Sequence, residues 1–101
     1  MYVSHLMFST LPGKTGELEK ELGTLRDLVT EAGGENARIL HTHFASPEAP
    51  NVVFTQDASN LVILEEQIRK VTAEPRFQQW SQKVSPLLRQ SPNREIYFVV
   101  D

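Results

Sequence analysis

The sequence predicts a one-domain α+β protein in which helices cover one face of a four-stranded antiparallel sheet. Short β-branched and aromatic stretches alternate with stretches whose apolar residues recur every three or four positions, which gives the order β-α-β-β-α-β. This order is the split β-α-β arrangement, whose right-handed crossovers interlock with the strands in the spatial order 4-1-3-2. The chain of 101 residues is about the size of one domain, so residues 1–101 are assigned to a single domain.

The beginning of the chain supplies one strand and one long helix. Strand 1 is predicted over Tyr2–Thr10, because this stretch is β-branched and aromatic and is followed by Pro12-Gly13. Over Thr15–Ala32 the apolar residues are spaced by three or four with charged residues between them, which indicates an amphipathic helix ending at Gly33-Gly34. The face predicted to pack on the sheet consists of Leu18, Leu22, Leu25, Val29 and Ala32.

The rest of the chain completes the sheet and adds a second, broken helix. The remaining strands are predicted at Asn36–Ala45, Asn51–Asp57 and Arg94–Val100. Ser59 is a suitable N-cap for the second helix, which breaks near Glu74-Pro75 because proline fits the first turn of a new helix. A third helical piece then runs to about Ser85-Pro86.

The strands carry apolar residues on both faces. In strand 1, Leu6 and Phe8 point to one side while Val3 and Met7 point to the other. A sheet with one wet face would instead alternate cleanly between apolar and polar residues. Because the helices cover a single face, the second face needs another cover, and the simplest one is a second copy of the chain. The sequence therefore predicts a homodimer formed through the helix-free sheet face.

Two stretches resemble the dimeric α+β barrel superfamily, in which two ferredoxin-like subunits press their open sheet faces together around a pocket. "STLPGKTGELEKEL" (residues 9–22) is similar to the Pro-Gly-Lys start of the first helix in NIPSNAP-type and antibiotic-biosynthesis-monooxygenase-type members. "EPRFQQWSQKVSPLLRQSPNREI" (residues 74–96) is similar to their Pro-x-Phe-x-x-Trp helix and the segment after it. The resemblance implies a ferredoxin-like fold and a dimeric α+β barrel over almost the whole chain.

Composition excludes several classes of function. The net charge is −3 and no run of basic residues occurs, so we expect no nucleic-acid partner. The chain has no cysteine, which rules out disulfides, thiolate metal sites and a cysteine nucleophile. No apolar stretch approaches the ~18–20 residues of a membrane span, and no signal peptide is recognisable. We therefore expect a cytoplasmic protein without a membrane partner.

Two histidines lie one residue apart in "ILHTHFA" (residues 39–45). On a strand, His41 and His43 would share one face, and we expect the more apolar face of Leu40 and Phe44 to pack under the helices. Three interpretations stay open: structural polar residues on an edge strand, pocket residues that polarise a ligand, or metal ligands. A metal site needs a third ligand, and His5 is the only other histidine, so no metal is expected.

The resemblance implies two classes of function. In the first, the chain is a cofactor-independent, monooxygenase-like enzyme for a small aromatic or apolar molecule, with His5 or His41 as the base. His43, Trp80 and Phe77 are the candidates for ligand contacts, although Phe77 and Trp80 also fit a core stripe of the third helical piece. In the second, the chain is a non-catalytic, NIPSNAP-like module for ligand binding or assembly. Polar groups converging in a cavity would favour the enzyme.

Overall fold

The computed structural model describes residues 1–101 and contains the predicted elements in the predicted order. The strands are β1 (Tyr2–Phe8), β2 (Glu35–His41), β3 (Val52–Ala58) and β4 (Asn93–Phe98). The helices are α1 (Thr15–Glu31), α2 (Leu61–Ala73) and α3 (Pro75–Val84), and a short 3-10 turn follows at Ser85–Leu87. All strand pairs are antiparallel, and the sheet order β2-β3-β1-β4 confirms the predicted order read from the other edge.

The predicted N-cap of the second helix, Ser59, is wrong, because Asn60 occupies that position and its Oδ1 accepts a hydrogen bond of 2.9 Å from the Ile63 amide. The predicted breaks after α1 and between α2 and α3 are confirmed, and each has a local cause. Gly33 adopts a left-handed conformation (φ 96°) just after α1, and the Gly34 amide donates a hydrogen bond to the Val29 carbonyl. A Cβ atom at Gly34 would lie 2.4 Å from Val29 Cγ1, so no larger residue fits this turn. Pro75 occupies the first turn of α3, where its missing N–H costs no hydrogen bond.

A single core lies between the helices and one face of the sheet, which we call the helix-covered face. Phe8 and Val52 are fully buried there, and α1 packs over β2 and β3. The apolar face predicted for α1 is buried at four of its five positions, while Ala32 packs partly buried at the margin. The helices contributing to this core supply Leu18, Leu22, Leu25, Leu28, Val29, Val71, Trp80 and Val84. None of the helices is long and apolar enough to cross a membrane.

The predicted orientation of strand 2 is wrong. His41 lies on the helix-covered side, where its Nδ1 is 2.5 Å from the Glu19 carboxylate of α1. Leu40 points the other way and is 41% exposed, and Phe44 is 92% exposed. The cause is the register with β3, because Ile39 and His41 stand beside Phe54 and Val52, whose side chains are buried under the helices.

The predicted length of strand 2 is also wrong at its end. β2 stops at His41, and the chain turns where the Thr42 hydroxyl donates a hydrogen bond to the Pro50 carbonyl at 2.6 Å. His43 and Phe44 therefore lie in the loop and share no strand face with His41. The apolar character of Phe44 was a poor guide, because its side chain lies beyond the part of the chain that pairs with β3.

The opposite side of the sheet, which we call the open face, has no helix packed on it. It carries a mixture of apolar and polar side chains: Val3, His5, Met7, Arg38, Leu40, Val53, Thr55, Asp57, Glu95 and Tyr97. Most of those on the central strands β1 and β3 are only half-buried, and Tyr97 on the β4 edge is 47% exposed. The two faces of the sheet therefore differ sharply in how the single chain covers them.

Candidate functional site: a cavity under the broken helix

A cavity of about 270 Å³ lies between the helix-covered face and the helices α2 and α3. It forms where the second helical segment breaks at Glu74, so that α3 leaves α2 at a new angle while both helices stay over the sheet. Its walls are mainly apolar and include Leu6, Leu25, Val29, Phe54, Val71 and Trp80. Five polar residues also border it, namely Gln56, Gln67, Thr72, Ser81 and Arg94.

Arg94 is the only charged residue that borders this cavity. Its Nη1 donates a hydrogen bond of 2.5 Å to the hydroxyl of Ser4, which is itself buried on the neighbouring strand β1. Arg94 takes part in no ion pair. Burial lowers the pKa of the Arg94 guanidinium, but arginine stays charged in proteins because its ordinary pKa lies far above neutral pH. The cavity therefore holds a cation whose other N–H donors have no carboxylate partner in the chain.

A buried pair of amides lies on the same wall. Gln67 Nε2 donates to the Gly33 carbonyl oxygen at 2.9 Å, so Gln67 Oε1 is left to accept from Gln56 Nε2 at 3.2 Å. Because a carbonyl oxygen can only accept hydrogen bonds, the Gly33 carbonyl fixes the orientation of the Gln67 side-chain amide. Gln67 Oε1 then fixes the orientation of the Gln56 amide in the same way. Gln56 Oε1 accepts no hydrogen bond from the protein. The pair thus offers an acceptor beside the cavity in addition to the cation at Arg94.

Two aromatic residues that the sequence proposed as ligand contacts border the cavity. Phe77 and Trp80 are stacked on each other, with ring centroids 5.5 Å apart. Trp80 is also tied to the core, because its Nε1 donates a hydrogen bond of 2.8 Å to the Glu21 carbonyl of α1. Phe77 and Trp80 therefore fit both interpretations, because they pack in the core and also border the cavity.

The three histidines lie apart from the cavity and from one another. His5 is on the open face with its ring 5.0 Å from that of Tyr97. His41 is exposed at the sheet edge beside Glu19, and His43 lies in the following loop against Phe44, at a centroid distance of 4.7 Å. No three His, Asp or Glu side chains cluster in a way that could hold a metal ion.

Sequence reasoning missed the polar groups of the cavity, although two of them left a signal. Gln56 falls on a strand position whose neighbours of the same parity, Phe54 and Ala58, are buried and apolar. Gln67 similarly interrupts the apolar stripe of α2 between Leu64 and Val71. A polar residue on an apolar face points to a hydrogen-bonded interior site. Arg94 begins a strand at the sheet edge, and no periodicity distinguishes it from a solvated residue.

The strand order and the one-sided helices define a ferredoxin-like α+β fold, as the resemblance implied, and solved structures share it along almost the whole chain. An uncharacterised NIPSNAP domain protein from Burkholderia xenovorans is 19% identical, with a TM-score of 0.75 over 99% of this chain and 95% of that one. A candidate antibiotic biosynthesis monooxygenase from Nitrosomonas europaea is 14% identical, with a TM-score of 0.73 over 100% of both chains. A NIPSNAP-like domain protein, also from Burkholderia xenovorans, is 17% identical, with a TM-score of 0.79 over 98% of this chain and 84% of that one.

These similarities confirm that the fold is the one seen in NIPSNAP and antibiotic biosynthesis monooxygenase-like proteins. No protein-family model and no curated protein sequence matches the chain. At such low identities the likeness establishes a shared fold, and function has to be argued from the cavity itself.

Proposed function

We propose that the chain binds a small aromatic or apolar molecule in the cavity, with an anionic or hydrogen-bond-accepting group of that molecule held by Arg94. The observation that carries this proposal is a cation without an ion-pair partner on a mainly apolar wall. A few convergent polar groups in an apolar cavity are typical of small-molecule sites. Arg94 supplies planar N–H donors for a carboxylate or phenolate, and Gln56 Oε1 is free to accept from a ligand hydroxyl.

The surroundings of Arg94 favour the ionised form of an acidic ligand. Arg94 is an exposed residue whose guanidinium is partly desolvated, so a carboxylate or phenolate beside it gains more from electrostatic attraction than it would in bulk solvent. A nearby cation also lowers the pKa of an acid by favouring its charged form. The cavity volume of about 270 Å³ is just below the ~300–1,000 Å³ typical of ligand pockets, which favours a ligand of about one or two rings.

Binding of hydrocinnamate, an aromatic carboxylate, tests this proposal against hydrocinnamyl alcohol, its neutral counterpart of nearly the same shape. Trp80 is the only tryptophan and borders the cavity, so its fluorescence reports occupancy. We expect hydrocinnamate to bind more tightly than the alcohol, and Arg94→Met to weaken hydrocinnamate by about tenfold or more while changing the alcohol little. Arg89→Met, at an exposed arginine outside this cavity, is the matched control. Equal affinities of wild type and Arg94→Met for hydrocinnamate would contradict the assignment of Arg94.

A second candidate function is cofactor-independent oxygenation, which the structural likeness to a candidate monooxygenase and the position of Arg94 both favour. Arg94 would hold an electron-rich phenol as its anion. No histidine or carboxylate borders the cavity, so the phenol proton would pass to water. The phenolate would then give an electron pair from a ring carbon to molecular oxygen. Loss of water from the resulting hydroperoxide leaves a quinone that retains one oxygen atom, while the second leaves in the water.

Oxygen uptake with α-naphthol tests the catalytic candidate separately from binding. The expected reaction consumes one O₂ per naphthol and yields naphthoquinone and water, since the ring carbon loses its hydrogen as the carbonyl forms. We expect the rate to fall by about tenfold or more in Arg94→Met, because the phenolate loses its cation. Tight binding of hydrocinnamate without any oxygen uptake would leave the chain as a binding module and contradict catalysis on this class of phenol.

We also propose that two copies of the chain associate through the open face. Val3, Met7 and Val53 form a half-buried apolar strip there, and no element of the same chain covers it. Burying apolar area of this kind contributes roughly 25 cal/mol per Å². Light scattering at micromolar concentration should give about twice the chain mass of 11.5 kDa. A mass near 11.5 kDa would contradict the dimer.

A further inference from the structure

One row of four residues crosses the open face from edge to edge. Arg38 of β2 is the partner of Thr55 in β3, Thr55 is the partner of His5 in β1, and His5 is the partner of Glu95 in β4. Directly opposed residues of neighbouring strands point to the same side of a sheet, so all four side chains lie on the open face. The row therefore has a positive end at the β2 edge and a negative end at the β4 edge.

The polar groups of this row are not satisfied within one chain. Arg38 makes no ion pair, and Glu95 accepts a hydrogen bond only from the neighbouring Tyr97 hydroxyl, at 2.8 Å. Thr55 is 1% exposed, yet its Oγ1 has no hydrogen-bond partner. A buried hydroxyl without a partner is unusual, because leaving it unpaired costs about 1–3 kcal/mol. The Thr55 hydroxyl is enclosed by its own chain, whereas Arg38 and Glu95 are exposed and can each form an ion pair with a second copy.

We propose that this charged row sets how two copies of the chain dock, with each Arg38 placed opposite Glu95 of the partner subunit. The inference rests on the proposed dimer through the open face and adds its orientation. Stacked sheets lie about 10 Å apart, which long Arg and Glu side chains can span together from the two sides. A two-fold interface repeats every contact, so one Arg38–Glu95 contact at each end of the interface pairs all four of these charges.

Symmetry decides which orientation the charges favour. A two-fold axis parallel to the strands reverses the row end to end, so the positive end of one copy meets the negative end of the other. A two-fold axis perpendicular to the strands, lying between the two sheets, leaves the row unreversed and stacks Arg38 on Arg38 and Glu95 on Glu95. Like charges facing each other across an interface are costly, so the charges select the first orientation for aligned sheets. Val3 lies on one side of the row, and Met7 and Val53 lie on the other. These apolar residues are compatible with both orientations, so they supply attraction without choosing between them.

Sedimentation equilibrium of charge-reversal variants tests the orientation. We expect Arg38→Glu and Glu95→Arg each to weaken dimerisation by about tenfold or more at low salt, because two attractive contacts become two repulsive ones. The double variant Arg38→Glu/Glu95→Arg restores both contacts with the charges exchanged, and its dissociation constant should return to within about threefold of wild type. Arg26→Glu, at an exposed arginine of α1 on the other side of the molecule, is the matched control and should change little.

The outcomes separate the dimer from its orientation. A wild-type protein that sediments as a monomer would overturn the dimer and the row together. A wild-type dimer that Arg38→Glu leaves unchanged, or single variants that the double variant fails to rescue, would overturn the orientation alone.

If Arg38→Glu loses its folded circular dichroism spectrum, Arg38→Gln replaces it. The wild-type dimer should then weaken as salt screens the Arg38–Glu95 contacts, while the Arg38→Gln dimer should be much less salt-dependent. Equal salt dependence of the two would contradict the contact.

Discussion

The two faces of the sheet treat their polar groups differently. On the helix-covered face, Gln56, Gln67 and Ser4 are buried and hydrogen-bonded within the chain. On the open face, Thr55 is buried without a partner and Arg38 has no counter-ion. The buried polar groups of the helix-covered face are therefore paired within the chain, whereas the open face carries an arginine and a glutamate that form no ion pair in the same chain.

The same contrast separates the two proposed functions. The cavity is concave, mostly apolar and supplied with one cation, which suits a small molecule. The open face is a broad sheet surface with a charge at each edge, which suits another protein surface of complementary charge. If the two faces serve separate partners, a substitution on one face should leave the function of the other face unchanged.

Truncating the core under α1 should have the largest effect. Leu22 is fully buried on the helix-covered face, so Leu22→Ala should lower the free energy of unfolding by about 2–5 kcal/mol, measured by urea denaturation. Thr24→Ala, at an exposed position of the same helix, should stay within about 0.5 kcal/mol of wild type. A loss below about 0.5 kcal/mol in Leu22→Ala would mean that this face of α1 is not the core.

Breaking the buried amide pair should have the next largest effect. Gln67→Leu removes the acceptor for Gln56 Nε2 and the donor for the Gly33 carbonyl, so the unfolding free energy should fall by about 1–3 kcal/mol. Gln78→Leu, on an exposed position of α3, is the matched control and should change little. Equal stability of Gln67→Leu and Gln78→Leu would show that these hydrogen bonds do not support the cavity wall.

The exposed His41–Glu19 pair at the edge strand should contribute less to the free energy of unfolding than the buried amide pair does. His41 is 2.5 Å from Glu19, but both side chains are partly or largely solvated, so His41→Gln should change the unfolding free energy by less than about 1 kcal/mol. Neither hydrocinnamate binding nor dimerisation should respond, because His41 borders neither the cavity nor the open face. A loss of ligand binding in His41→Gln would restore this histidine as a functional residue.

The smallest effect is expected at the ion pair that ties α1 to α3. Arg76 contacts the Glu31 carboxylate at 2.9 Å, and this hydrogen bond holds the pKa of Glu31 below its ordinary value near 4.5. A depressed carboxyl pKa contributes stability above the unfolded-state pKa and loses it as the pH falls through the folded-state pKa. Glu31→Gln should therefore be slightly less stable than wild type at neutral pH, and the difference should start to shrink near pH 4.5 and vanish once the pH is below the lowered pKa of Glu31 in the folded state. Thermal melts across pH would show it, and a constant difference would contradict the pair.

The sequence was sufficient for the architecture because each element carries its own local signal. The spacing of Leu18, Leu22 and Leu25 defined α1 and its buried face, and Glu74-Pro75 marked the break that opens the cavity. The orientation predicted for strand 2 was wrong because an edge strand takes its orientation from the strand beside it. The apolar residues Leu40 and Phe44 suggested the opposite face. Local periodicity holds no information about that register.

The site was predictable only in part, for a related reason. Phe77 and Trp80 were named as ligand candidates and border the cavity, whereas the third ligand candidate, His43, and the candidate bases His5 and His41 lie outside it. The chemistry of histidine suits a catalytic base wherever the residue occurs in the chain, so the residue type alone does not locate the site. Arg94 looks like any surface arginine until the fold places it beside Ser4 on an apolar wall.

Native mass spectrometry in the presence of hydrocinnamate tests most directly whether the two faces serve two separate partners, because it reports assembly and ligand number together. The wild type should give about twice 11.5 kDa with two ligands, Arg94→Met should keep the dimer and lose the ligands, and Arg38→Glu should increase the fraction at about 11.5 kDa while each chain retains one ligand. Loss of ligand and dimer together in either variant would contradict the separation of the two faces.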